Sequence, residues 1–468
     1  MKVLIINPAY PKKTIGFKNL LVLEPLALLY MGAIIKNQHN VRLLDMVVDP
    51  NINRELESFR PDVVCVSAFF VHRDSVVALF DTIKAFNPSI TTILGGSHVN
   101  LYPEQYKKNS IDILALGDDL YLIERILDGL RTQELHVVND IHYQYEGIWH
   151  ENERSHKIVS IDDLPFPDRS LIERYKKKYF WYFHKNIASV WGSVGCPFKC
   201  YYCTQWTKNG GHFIARSPES LVSEIEQIQE DTVFIIDDNT FTNAERAHRI
   251  YELIKERKIK KQFVCYCSSN LIIKNEKIVR EWAEVGLVKV MIGFESLRTK
   301  DLSDVNNKTS LEKNDKAIKI LHDIGLDTMA GFIVYPDFTK DDFKALHKYV
   351  KRRKLYYIEF TSLTPFPGTK FFDECEQHVK ENSPAIFDMQ HMLLKSKLPL
   401  KQYYRNVAWL YLCSYMPWRA RAAKLRFKIS KNPFNPIYRR FTKMVWSSLF
   451  AYKHQNQNIT GGNHGDNQ

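Results

Sequence analysis

Twice along the chain, short β-branched runs alternate with helical patterns, and a polar stretch carrying Pro165 and Pro167 separates the two series. Such a rhythm calls for parallel sheets covered by helices. In the first series the strand candidates are Val3–Ile6, Val41–Leu44, Val63–Ser67, Thr91–Leu94 and Ile113–Leu116, with helical stretches Ala27–Lys36, Ser75–Phe86 and Leu120–Leu130 between them. In the second they are Ala188–Ser193, Thr232–Ile236, Phe263–Tyr266, Val288–Ile292, Thr328–Val334 and Tyr357–Ser362. Six β/α units in about 180 residues suit a partial barrel better than a closed eight-unit one, which takes about 250. The fold class is therefore α/β. A doubly wound Rossmann-like domain is expected over 1–135, a linker over 136–185, a partial (β/α)6 barrel over 186–395 and a basic helical region over 396–468 with a disordered end.

Apolar residues make up 45% of the chain, enough for real cores. No run of about 18 uncharged apolar residues occurs, so no membrane span is expected. The opening MKVLIINPAY reads as a first strand, because its apolar run ends at Asn7-Pro8 and is too short for a signal core. Without an export signal, the expected compartment is the reducing cytosol. The net charge of +12 lies entirely in the tail: from Ser396 onward there are 13 Lys or Arg against the single acid Asp466, and the rest balances.

Three of the eight cysteines fall within eight residues, Cys196, Cys200 and Cys203, directly after the first barrel strand. A disulfide framework is unusual in a long cytosolic chain, so the group reads as metal-binding or redox. Three thiolates on one loop can hold three irons of a cubane and leave a fourth iron open to a small molecule. Structural zinc is the competing reading; it needs a fourth ligand, for which Cys265 or Cys267 would serve.

Cys196-x3-Cys200-x-Tyr202-Cys203 resembles the signature of the radical S-adenosylmethionine (SAM) superfamily, in which an aromatic precedes the last cysteine. The resemblance implies a 4Fe–4S cluster on these three cysteines, SAM on the open iron and reductive cleavage to a 5′-deoxyadenosyl radical. It further implies that Asp238, in Phe234-Ile-Ile-Asp-Asp-Asn-Thr-Phe241, lies near the SAM ammonium, and that Glu295, in Ile292-Gly-Phe-Glu-Ser296, bonds the ribose hydroxyls. The bland alternatives are a helix-capping Asp238 and a solvated strand-end Glu295. Relatives often carry an arginine where this chain has Ser268-Ser-Asn270, which leaves Ser268 as the cofactor candidate there. Ile333-Val-Tyr-Pro-Asp337 lacks the glycine of the commoner version of that segment.

The order of elements in 1–135 resembles the cobalamin-binding domain found ahead of many radical SAM proteins. The candidate cofactor loops hold Ser67, Gly95, Gly96 and Gly117, at the carboxyl ends of strands where such sheets bind ligands. No Asp-x-His-x2-Gly motif is present, so no histidine is expected beneath cobalt, and His72 and His98 read as surface residues. The blocks Val334-Tyr-Pro-Asp-Phe338, Thr364-Pro-Phe-Pro-Gly-Thr369 and Lys397-Leu-Pro-Leu-Lys401 resemble the hopanoid C-3 methylase branch.

The resemblance implies a cobalamin-dependent C-methyltransferase acting on an unactivated carbon of a lipid or other hydrophobic metabolite, served by an electron donor such as flavodoxin or ferredoxin. Two other readings stand beside it: a cobalamin-linked enzyme that cyclises or oxidatively rearranges its substrate, and a non-enzymatic iron–sulfur or cobalamin sensor. The basic tail, helical in pattern from Leu400 to about Ser430 and rich in Trp and Tyr, suits the inner face of a membrane or a merely solvated closing helix. Nucleic acid is disfavoured, because the rest of the chain is charge-balanced.

Overall fold

The computed structural model describes residues 1–15, 17–155, 160–182, 184–206, 212–303, 309–379, 383–415 and 436–456. Contacts group the chain into two compact units, one made of 1–12, 22–196 and 205–230, the other of 13–21, 197–204 and 231–468.

In the first unit five parallel strands form, β1 (Lys2–Asn7), β2 (Asn40–Asp45), β3 (Val63–Ser67), β4 (Thr91–Gly95) and β5 (Ile113–Ala115), in the order β2-β1-β3-β4-β5. Apart from the half-buried Val41, their Val, Ile and Leu side chains are buried, as a sheet covered on both faces requires. The covering helices include α1 (Leu26–Ile35), α2 (Ile52–Phe59), α3 (Arg73–Phe86) and α4 (Leu122–Thr132). The sheet then continues into residues read above as linker: β6 (Ile141–Tyr145) pairs antiparallel with β5 and with β7 (Ile148–Glu151). The hairpin turns on Glu146 and Gly147, both at positive φ (50° and 80°), the geometry that matches strand twist.

Strand β8 (Ile187–Val190) precedes the cysteine loop, and Ser193–Val194 pairs antiparallel with Ile214–Ala215 on its far side. A buried ionic network fixes both flanks. Glu24 accepts from the Ser189 amide at 2.6 Å and from Arg169 at 3.3 Å. Arg169 also donates to Ser189 O at 2.6 Å and to Glu224 at 2.9 Å. Glu224 is bonded in turn by Arg216 and, at 3.1 Å, by the Tyr30 hydroxyl.

The second unit holds five parallel strands in sequential order, β9 (Thr232–Ile235), β10 (Gln262–Tyr266), β11 (Leu287–Glu295), β12 (Asp327–Val334) and β13 (Tyr357–Ser362). With β8 these are the six strands read from the sequence. Helices α5 (Ala244–Glu256), α6 (Glu276–Glu284), α7 (Leu311–Ile324) and α8 (Lys340–Arg352) alternate with them, and α9 (Leu400–Tyr415) and α10 (Pro436–Asn456) close the chain. Residues 416–430 and the polar end from 457 lie outside the described residues. Among the described residues no helix is long and apolar enough to cross a membrane.

Candidate active site

The cysteine loop is shaped by its backbone. Gly195 has φ +89°, and a Cβ there would lie 2.5 Å from the His212 carbonyl oxygen, so only glycine lets the loop turn into Cys196. The Cys203 amide bonds the Cys200 carbonyl at 3.1 Å, and Phe371 donates to the Tyr201 carbonyl at 3.2 Å, which anchors that turn. All three cysteines are half-buried. Cys265 and Cys267, the fourth ligands that zinc would need, are buried, and burial pushes both thiols up, Cys267 to about 12. Burial therefore favours the protonated thiol at both.

The carboxyl ends of the second unit's strands bring several predicted residues together. β11 loses register between Gly293 and Glu295, and Glu295 sits at φ +63° in a tight turn closed by Ser296 N–H on Phe294 O at 2.8 Å. A bulge of this kind re-aims a side chain. Here the Glu295 carboxylate folds back over Gly293, where a Cβ would meet its oxygen at 2.3 Å. The Tyr202 hydroxyl donates to this carboxylate, and burial pushes the Glu295 carboxyl up to about 7. Glu295 is thus no solvated strand-end acid.

Asp238 follows β9, half-buried beside the buried Asp237. It does not cap α5: that role belongs to Asn243, which accepts from the Arg246 amide at 2.9 Å. The Asp238 loop is tied to the end of β10, with Thr240 N–H on Tyr266 O at 3.0 Å and Asn239 accepting from Ser268 N–H at 2.8 Å. The Ser268 hydroxyl is buried without a hydrogen-bond partner. Sequence reasoning passed over Tyr335. Its hydroxyl is likewise buried and unpaired, and the charges of Asp301 and Glu295, after burial itself, push it up. The only signal was its place in the glycine-lacking segment. Two unspent hydroxyls, a cradled carboxylate and a half-buried acid thus stand at the carboxyl ends of neighbouring strands, donors and acceptors of the kind that a nucleoside carrying an amino acid would need.

In the first unit Ser67 ends β3 and Gly95 ends β4. Gly96 at φ +125° and Gly117 at φ +141° need glycine's freedom, and a Cβ on Gly96 would lie 2.2 Å from Ala68 O. Both glycines are thus fixed at the strand ends by backbone geometry. His72 and His98, expected at the surface, are buried instead, and burial lowers each to about 4. His72 Nδ1 accepts from the Phe69 amide at 3.2 Å; His98 Nδ1 bonds the Tyr106 hydroxyl at 2.9 Å and its ring stacks on Phe70. Aromatic rings pack on both, with Tyr10 5.1 Å from His72, a contact that the local sequence could not foretell.

Residues 192–350 match the radical SAM superfamily model, and residues 13–126 match the B12 binding domain model. Among curated relatives, the hopanoid C-3 methylase of Methylococcus capsulatus is 26% identical over 412 residues, 86% of this chain and 78% of the relative. The anaerobic magnesium-protoporphyrin IX monomethyl ester cyclase of Rubrivivax gelatinosus is 26% identical over 354 residues, 73% of this chain and 62% of the relative. The solved structure of OxsB, a cobalamin-dependent SAM radical enzyme with aqua-cobalamin and SAM bound, superposes with a TM-score of 0.70 at 16% identity, covering 97% of this chain and 71% of that one. At that identity the likeness is one of fold.

Proposed function

Because the chain is a radical SAM enzyme that carries a B12 binding domain, we propose that it transfers a methyl group to an unactivated carbon of a lipid or other hydrophobic metabolite. The observation that carries this reading is the Tyr202–Glu295 pair, which joins the cysteine motif to the strand-end residues on which SAM would sit. Cys196, Cys200 and Cys203 would hold the 4Fe–4S cluster, Asp238, Ser268, Glu295 and Tyr202 the SAM, and Ser67, Gly95, Gly96 and Gly117 the cobalamin. On the same assignment the cobalamin domain would span 1–135, its sheet extended by the hairpin to Glu151, and the barrel 186–395. When bound, these groups supply a carbon-centred radical and a transferable methyl. A reducing donor of the flavodoxin or ferredoxin class would supply electrons.

The chain's own residues orient and exclude. Glu295, held by Tyr202 and cradled at Gly293, presents a carboxylate to a ribose diol. Asp238 offers a negative charge to an ammonium. The strand-end loops at Gly96 and Gly117 would receive the flat macrocycle.

The relative that is a cyclase supports a second reading, ring formation without methyl transfer. One experiment separates them. Anaerobically purified protein, reconstituted with iron, sulfide and cobalamin, is incubated with methyl-deuterated SAM, a reductant and a bacterial lipid extract. A lipid gaining a deuterated methyl, with 5′-deoxyadenosine and S-adenosylhomocysteine released together, is the expected result. Deoxyadenosine with product lacking the label would replace methyl transfer by rearrangement. Loss of iron in the triple Cys196/Cys200/Cys203→Ala variant is the control.

A further inference from the structure

The two closing helices show the same outward pattern. On α9, Tyr403, Tyr404, Val407, Ala408 and Tyr411 are buried, while Lys401, Arg405, Trp409 and Leu412 form one exposed stripe at helical spacing. On α10, Met444, Val445, Ser448 and Ala451 are buried, while Lys443, Trp446 and Lys453 are exposed and Phe450 is half-buried among them. Trp446 is 65% exposed, and its ring lies 5.0 Å from that of Phe450, over which Lys453 Nζ sits at 4.8 Å. The helices pack together, with Lys401 Nζ 5.9 Å from the Tyr452 ring centre. From Ser396 to Asn456 the sequence holds no Asp or Glu.

We infer that the exposed basic and aromatic stripes of these two helices dock on an anionic phospholipid surface. Trp409, Leu412, Trp446 and Phe450 enter the interfacial layer, and Lys401, Arg405, Lys443 and Lys453 meet the headgroups. Indole rings favour the polar–apolar boundary, and basic residues beside them are drawn to anionic headgroups. A lone basic patch would fit nucleic acid as well. The aliphatic Leu412 and the paired aromatics beside the charges favour lipid. The inference stands apart from the methyl-transfer reading, since docking needs neither cofactor nor substrate.

Full-length protein is sedimented with vesicles of phosphatidylcholine alone and of phosphatidylcholine with phosphatidylglycerol, at low and high salt. Binding to the anionic vesicles only, weakened by salt, is expected. Lys443→Glu/Lys453→Glu and Trp446→Ser should each lower the affinity by roughly tenfold or more, with thermal midpoints and SAM cleavage unchanged. A blue shift in tryptophan emission on binding, lost in Trp446→Ser, reports insertion of that ring. No sedimentation with anionic vesicles overturns the inference, as does equal binding by both variants. Retention on duplex DNA without vesicle binding reassigns the face to nucleic acid.

Discussion

The Tyr202 hydroxyl donates a hydrogen bond to the Glu295 carboxylate, joining the residue before the last cysteine to the bulged end of β11. Burial raises the carboxyl to about 7, and the Tyr202 bond opposes that rise. SAM binding that needs the ionised carboxylate should therefore strengthen as pH climbs through about 7. Tyr202→Phe removes the donor, moves that transition to higher pH and weakens SAM at neutral pH by roughly ten- to a hundredfold, the worth of one hydrogen bond to a charged group. Equilibrium dialysis of labelled SAM against reconstituted protein reads this directly, with iron content as the control. An unchanged affinity and pH profile would remove Tyr202 from the SAM site.

The network around Glu224 makes a second prediction. Arg169 and Arg216 both converge on Glu224, whose side chain is 1% exposed. Glu224→Ala takes from the buried Arg216 its carboxylate partner and from Arg169 one of its two, a loss of about 3–5 kcal/mol. Because the same network holds the Ser189 and Arg216 flanks of the cysteine loop, iron retention should fall with the thermal midpoint. A variant with a lowered midpoint and full iron would show that the flanks do not support the loop.

Much of this architecture was legible from period alone. Val63–Ser67 forms as read, and β1, β2, β4 and β5 each differ from their readings by no more than two residues, since buried parallel strands announce themselves as β-branched runs. The hairpin Ile141–Glu151 escaped because its turn, Glu146-Gly147, lacks the Asn-Gly or Asp-Gly signal. The Glu24–Arg169–Glu224–Arg216 network was illegible for another reason: its partners lie up to 145 residues apart, and a local pattern carries no record of such contacts. The folding back of Glu295 depends on one register slip, which a strand-end motif does not reveal.

The two adjacent glycines of Gly95-Gly96 should separate by mutation. At Gly96, with φ +125°, an added Cβ meets Ala68 backbone at 2.2 Å, and backbone cannot give way. Gly96→Ala should cost several degrees of thermal midpoint and most bound cobalamin. At Gly95 the nearest atoms would be those of Ala115 at 3.6 Å, an ordinary contact. Gly95→Ala should therefore leave the midpoint unchanged. If it still lowers cobalamin per chain, measured by absorbance after gel filtration, the corrin passes close to that residue. Retention of cobalamin in both variants would move the ligand away from this loop.

Lys289 is 1% exposed at the start of β11, in register with Asp327 on β12, and its ammonium lies 3.4 Å from the Tyr357 ring centre. Burial lowers it to about 7, with Asp327 opposing. In the unfolded chain a lysine titrates near 10.4. Between those two pH values the unfolded chain binds a proton that the folded one does not, so stability rises as pH climbs from about 7 toward 10 and is flat in this respect below about 7. Lys289→Met should remove that rise, an effect on the order of a few kcal/mol at the ends of the window. Denaturant melts of parent and variant at intervals from pH 6 to about 10 check this by their difference, which cancels the titration of every other group. Parallel curves would mean that Lys289 stays charged, its ammonium satisfied by the Tyr357 face and Asp327.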